Sequence, residues 1–171
     1  MKLSALDGSS IEVRFLDDPH AWRGDLLAGG RRGQPVHAGS FLRRRVMVLD
    51  RALIASPREL IRILVHEIFH FAWLRLGNRR RRDWERLLSA EMRGGVRGEL
   101  GWSADGRKGA LERSDRTRRT RRWREYACES FCDTAAWAVC GGRHAEYTLP
   151  APARRARRRW LCNLLRGRVS I

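Results

Sequence analysis

Between Leu60 and Trp73 the apolar positions Leu60, Ile61, Leu64, Val65, Ile68, Phe69, Ala72 and Trp73 cover most of a helix circumference. That pattern predicts a helix that is largely internal, since a surface helix keeps one polar face. Its start is marked by Ser56 as cap, Pro57 at the first helical position and Glu59 three residues on, the makings of a capping box. Gly77 predicts a left-handed stop after about Leu76. Upstream, Ile11, Val13 and Phe15 alternate with Glu12 and Arg14, a period of two that predicts a strand over 11–16. The Asp7-Gly8 turn suggests that residues 2–6 pair with it as a hairpin. "VHAG" at 36–39 and the continuous run Val46 to Leu49 add strands, and 17–35, rich in Gly and Pro, reads as a loop with a short helical turn.

Downstream the periods are helical. A second helix is expected over 83–93 behind the "RRRR" of 79–82, a third over 122–139 ending at Gly141-Gly142, and a fourth from Pro152 to about Leu165. Residues 94–121 read as an insertion with at most one short helix near 104–113. The whole predicts one α+β domain over 1–171: strands and loops in 1–55, helices in 56–141, and a basic C-terminal helix in 142–171. Its sheet is expected to be small and antiparallel. Trp73, Trp84, Trp102, Trp123, Trp137 and Trp160 fall mostly at apolar helical positions and are expected in the core.

Charge adds a second theme. The formal net charge is +17, and residues 79–171 carry 24 basic and 11 acidic groups against 12 and 8 in residues 1–78. Such an excess favours nucleic acid, acidic proteins or anionic surfaces as partners. Of the 36 cations 34 are Arg, which points partly to a compositional bias, so a solvated basic surface is the competing reading. No apolar stretch suits a secretory signal and none approaches a bilayer span, so a cytoplasmic protein without a membrane segment is expected. Cys128, Cys132, Cys140 and Cys162 are then reduced thiols. Cys128 and Cys132, one helical turn apart, could share a metal, but small core residues are the expected role.

The chemistry concentrates in "HEIFH", residues 66–70. His66 and His70 are one turn apart, so their imidazoles can meet one ion, while Glu67 is turned by about 100° and can touch water beside it. In an HExxH arrangement zinc lowers the pKa of water and the glutamate removes the proton. The composition gives about 0.01 chance matches to this spacing. Two histidines and a carboxylate in mid-helix on an apolar element are also costly without a partner. A zinc site needs at least one more protein ligand. In "WREYACESFCDTAAW", 123–137, Glu129 and Asp133 stand four apart on one helix face.

These motifs resemble the gluzincins, the thermolysin-like zinc metallopeptidases, in which HExxH is followed on a later helix by ExxxD. The resemblance covers about ten residues and implies a zincin-like fold, Zn2+ as cofactor and a peptide or protein substrate. It also implies His66, His70 and Glu129 as ligands, Glu67 as general base, and Asp133 holding a histidine by its second nitrogen. The 58 residues between His70 and Glu129 exceed the short connection usual in that class, so Glu91, Glu125 and Glu99 stay open as third ligands. His144 is the first candidate for an oxyanion donor, with Tyr147 and Tyr126 behind it. Residues 36–39 could be an edge strand that pairs with an extended substrate, as zincin-like folds do. Two alternatives stay open beside the hydrolase: a nucleic-acid-associated protein whose zinc site is structural or absent, and a regulatory protease that cuts one partner.

Overall fold

The computed structural model describes residues 6–29 and 32–171. In chain order the elements are β1 (Leu6–Asp7), β2 (Glu12–Leu16), β3 (Pro19–Trp22), β4 (Asp25–Ala28), β5 (Gln34–Pro35), β6 (Ala38–Phe41), β7 (Val46–Asp50) and a 3-10 turn over Arg51–Ala55. Six helices follow: α1 (Pro57–Arg75), α2 (Asn78–Arg93), α3 (Trp102–Gly109), α4 (Arg113–Arg118), α5 (Arg121–Cys140) and α6 (Ala151–Leu164). The last element is β8 (Val169–Ser170). The architecture is α+β.

The strands differ from expectation in their partners. β2 pairs in parallel with β7, and β6 pairs antiparallel with β7, giving the order β2-β7-β6. The sheet is therefore mixed, not antiparallel. β1 runs parallel to β8 at the C-terminus, so 6–7 and 12–16 form no hairpin; residues 2–5 of that expectation lie outside the described residues. The physical reason is that alternation shows how a strand is half buried and is silent on which strand lies beside it. The central position of β7 explains its uninterrupted apolar run, since Val46, Met47, Val48 and Leu49 are all buried. In the stretch 17–35, expected as a loop, the described residues form a second antiparallel sheet of order β4-β3-β5. Its hairpin turns at Arg23 and Gly24, both at positive φ (50° and 93°), with Trp22 opposite Asp25. That is the two-residue turn geometry that matches strand twist.

α1 lies between two cores, which is why its sequence is apolar nearly all round. Ile63 and Phe71 pack with Met47, Leu49 and Leu53 beneath the sheet. Val65, Phe69 and Ala72 pack against α2, α5 and α6 around Trp84, Trp123 and Phe131. Burying each such large side chain contributes about 1.5–3 kcal/mol.

The helix ends differ in part from those expected. Ser56 does cap α1, but its side chain makes no cap bond, and Glu59 turns to Arg62 instead of closing the box (Nε–Oε1 2.9 Å). Gly77 is extended (φ −61°, ψ 154°) and leads straight into α2, five residues earlier than expected. Arg81, from the "RRRR" run, donates to the Trp73 carbonyl at 2.7 Å and also to Leu74, which serves the carbonyls at the end of α1 in place of a glycine motif. The 94–121 segment holds two short helices, α3 and α4, not one. No helix among the described residues is long and apolar enough to cross a membrane.

Candidate metal centre

α1 and α5 pack side by side and carry the chemical groups between them. Glu129 and Asp133, one turn apart on α5, both face the histidines of α1. Asp133 Oδ1 lies 2.7 Å from His66 Nδ1, and its other oxygen accepts from the Ala104 amide at 3.2 Å. With Nδ1 protonated toward Asp133, Nε2 of His66 is a bare acceptor. That atom points at His70 Nε2 (3.1 Å) and at Glu129 Oε2 (3.3 Å), and His70 Nε2 lies 3.8 Å from the same oxygen. Three potential ligand atoms thus converge, and a shared proton or a metal ion could join them. Ligand atoms about 2.0–2.1 Å from a tetrahedral ion lie about 3.3–3.4 Å apart, so the residues present fit a metal of that geometry.

The electrostatics are consistent with the convergence. Burial opposes protonation of His66, but Asp133 and then Glu129 outweigh it and hold its pKa well above the ordinary value. Burial likewise opposes the charge on Glu129, yet hydrogen bonding to His66 and the charges of His70, His66 and Arg107 pull its pKa down to about 2. Arg107 of α3 sits 3.3 Å from the second oxygen, Oε1, leaving Oε2 for the imidazoles. His70 Nδ1 rests 3.4 Å from the Cys128 thiol. Hydrogen bonding from Cys132, against burial and helped by His70, lowers that thiol to about 6.

Cys132 is the residue that sequence reasoning placed in the core. It is fully buried, as expected, and it also brings a ligand atom within 4.8 Å of ligand atoms of His66 and His70. Glu129 is the better-suited third donor, because it is already ionised, whereas burial pushes the Cys132 thiol well up. The other candidate carboxylates lie elsewhere. Glu91 and Glu99 are held by the buried Arg157, Glu91 at 2.6 Å, and Glu99 also accepts from Tyr126 (2.6 Å). Glu125 pairs with Arg121 at the surface.

Glu67 is adjacent to the convergence without joining it. Ser40, on the edge strand β6, donates to its Oε2 at 2.6 Å, a partner no sequence signal announced. Glu67, His66 and Asp133 line a cleft of about 250 Å³ together with His37, Ala38, Ser103 and Trp102. His144, expected as oxyanion donor, is not in that cleft. It lines a neighbouring cavity with Tyr147, its Nε2 3.4 Å from Glu59 and its Nδ1 3.7 Å from Glu146. Glu59, His144 and Glu146 form a second group that could hold a metal, but the Arg62 guanidinium already pairs with both carboxylates. Tyr126 is buried in the Arg157 network, away from the cleft.

No protein-family model matches this chain, and no curated protein or solved structure matches it significantly.

Proposed function

We propose that this chain is a zinc-dependent peptide-bond hydrolase of the gluzincin type, in which His66, His70 and Glu129 hold the ion. The observation that carries this reading is the set of mutual distances, 3.1, 3.3 and 3.8 Å, among two imidazole nitrogens and one carboxylate oxygen. Zinc suits two imidazoles and a carboxylate, and three protein ligands leave one position open. When bound, the ion supplies Lewis-acid polarisation of the scissile carbonyl and makes a water acidic near neutral pH. Glu67 would act as general base toward a water in the cleft and return the proton to the leaving amine, and the Ser40 hydroxyl would orient its carboxylate for both transfers. Asp133 fixes the tautomer of His66, and Arg107 orients Glu129. His37, Ser103, Arg62 and Trp102 line the cleft and carry donors that a developing oxyanion could use.

The test is metal analysis beside turnover. The parent should hold one zinc per chain, and His66→Ala and Glu129→Ala should lose it. Glu67→Gln should keep the zinc and lose about 10²–10⁴-fold in turnover of any peptide the parent cleaves. Cleavage by Glu67→Gln at the parental rate would end this reading.

A basic face supports a second activity. Arg155, Arg158, Arg159 and Arg166 line one cavity of about 400 Å³ along α6, with no ion-pair partner among the described residues. Binding of a DNA duplex that weakens steeply with salt and is unchanged by removing zinc would establish it.

A further inference from the structure

A Cβ added at Gly101, the residue that opens α3, would run into Cγ and both carboxylate oxygens of Asp133. The Gly101 backbone is extended (φ −176°, ψ 154°), a conformation open to any residue, so space alone calls for glycine here. The carboxylate has little freedom to step aside. Asp133 is 2% exposed, and it is held from two directions: Oδ1 lies 2.7 Å from His66 Nδ1, and Oδ2 accepts from the Ala104 amide at 3.2 Å. The first amides of a helix have no partner within it, and a negative charge beside them is favourable. Gly101, at the cap position of α3, has no side chain to serve them, and Asp133 supplies the acceptor from α5 instead. Trp102, expected in the core, is 62% exposed, so its indole contributes little to anchoring α3. The helix is tied by polar contacts: the Trp102 amide donates to Glu146 at 3.0 Å, and Arg107 lies 3.3 Å from Glu129. One short helix thus touches both α5 carboxylates that face the histidines.

We infer that Gly101 is a positioning residue of the metal centre: its missing side chain lets α3 close on Asp133, which then holds the His66 ring with Nε2 toward His70 and Glu129. This rests on the reading of His66, His70 and Glu129 as metal ligands. α3, drawn from the long stretch between His70 and Glu129, is then a component of the site.

The experiment is a double-mutant cycle on the full chain, with zinc affinity read by competition against a chromophoric chelator. Gly101→Ala and Asp133→Ala should each weaken binding about 10–100-fold, the effect of losing the partner that orients a ligating histidine. Combined, they should cost no more than Asp133→Ala alone, because the added methyl then has no carboxylate to displace. Additive losses overturn the inference, as does parental affinity in Gly101→Ala. If Gly101→Ala alone does not fold, the double variant should fold and bind zinc like Asp133→Ala; failure of that rescue also overturns it. A second readout needs no metal. In the metal-free chain labelled with 15N-histidine, the His66 Nδ1 proton should give a hydrogen-bonded resonance that disappears in both single variants, and its persistence in Gly101→Ala overturns the inference. If the parent takes up no zinc while this resonance behaves as expected, the metal reading fails and the positioning of His66 by Gly101 and Asp133 stands.

Discussion

α5 borders two buried polar clusters that solve the same electrostatic problem in opposite ways. On one side Arg157, fully buried, lies between Glu91 and Glu99, with Lys108, Tyr126 and Ser130 completing the network. Its charge balance is internal: burial works against Arg157 and against Glu99, but each holds the other ionised, raising the first and lowering the second. On the other side His66, His70, Glu129 and Asp133 meet with three acceptor atoms converging and no fixed cation at their centre; Arg107 touches only the outer oxygen of Glu129. The first cluster is complete as folded and ties α6 to the rest. The second can take a proton or a metal ion at its centre, and that difference separates a cluster balanced by a fixed cation from one that could hold an ion.

Breaking the complete cluster should have the largest effect. Arg157→Ala leaves Glu91 without its cation and Glu99 with Lys108 alone, and should cost about 3–5 kcal/mol in urea unfolding, yet the folded variant should still bind one zinc. Loss of zinc stoichiometry there would mean the two clusters are not independent. Next is the incomplete cluster: zinc at 100 to 1,000 times its dissociation constant should add about 3–4 kcal/mol, or roughly 10 °C in Tm, and chelation should reverse it. The same shift should survive in Arg157→Met, which keeps a flexible apolar filler. An unchanged Tm would show that no ion binds the folded state preferentially.

A smaller effect follows from His66. Because its pKa is raised, it keeps a proton around neutral pH, and without metal the stability from its pairing with Asp133 is present at low pH and lost as pH rises through the raised value. Zinc must displace that proton, so its affinity should rise with pH, up to about tenfold per unit. Calorimetry in two buffers of different ionisation enthalpy at pH 7 should show about one proton released per zinc; none released would place the ion elsewhere. Smallest is Ser40→Ala, which removes one hydrogen bond to Glu67, about 1 kcal/mol. It should lower kcat about fivefold with KM and zinc content unchanged, and Ser40→Thr should restore it. A change confined to KM would give Ser40 a role in substrate binding instead.

The two clusters also differ in how far they could be read in advance. His66, Glu67 and His70 stand out because a helical turn of four residues is local, and α1 announces itself by its apolar positions and Pro57. Glu129 and Asp133 followed from the same local spacing on α5. Local spacing could not choose among Glu129, Glu91, Glu99 and Glu125. That choice depends on Arg157, which lies 58 residues from Glu99 and 66 from Glu91 and removes both from contention. Ser40 escaped notice for a similar reason: it reaches Glu67 from an edge strand 27 residues away. Trp102 and His144 were misjudged because an apolar or titratable side chain in an irregular segment carries no sign of whether it faces the core, the cleft or a neighbouring cavity.

What the chain determined by itself is what depends on neighbours in sequence: the helical periods, the buried character of α1 and β7, and the pairing of two imidazoles on one turn. Only the tertiary structure decided that β2 and β7 run parallel, that Arg81 ends α1, that α3 fastens onto Asp133 and that four carboxylates are divided between an arginine and two histidines. Those outcomes are contacts between distant segments. Their energies arise from which groups are desolvated together, a quantity that exists only once the chain has packed.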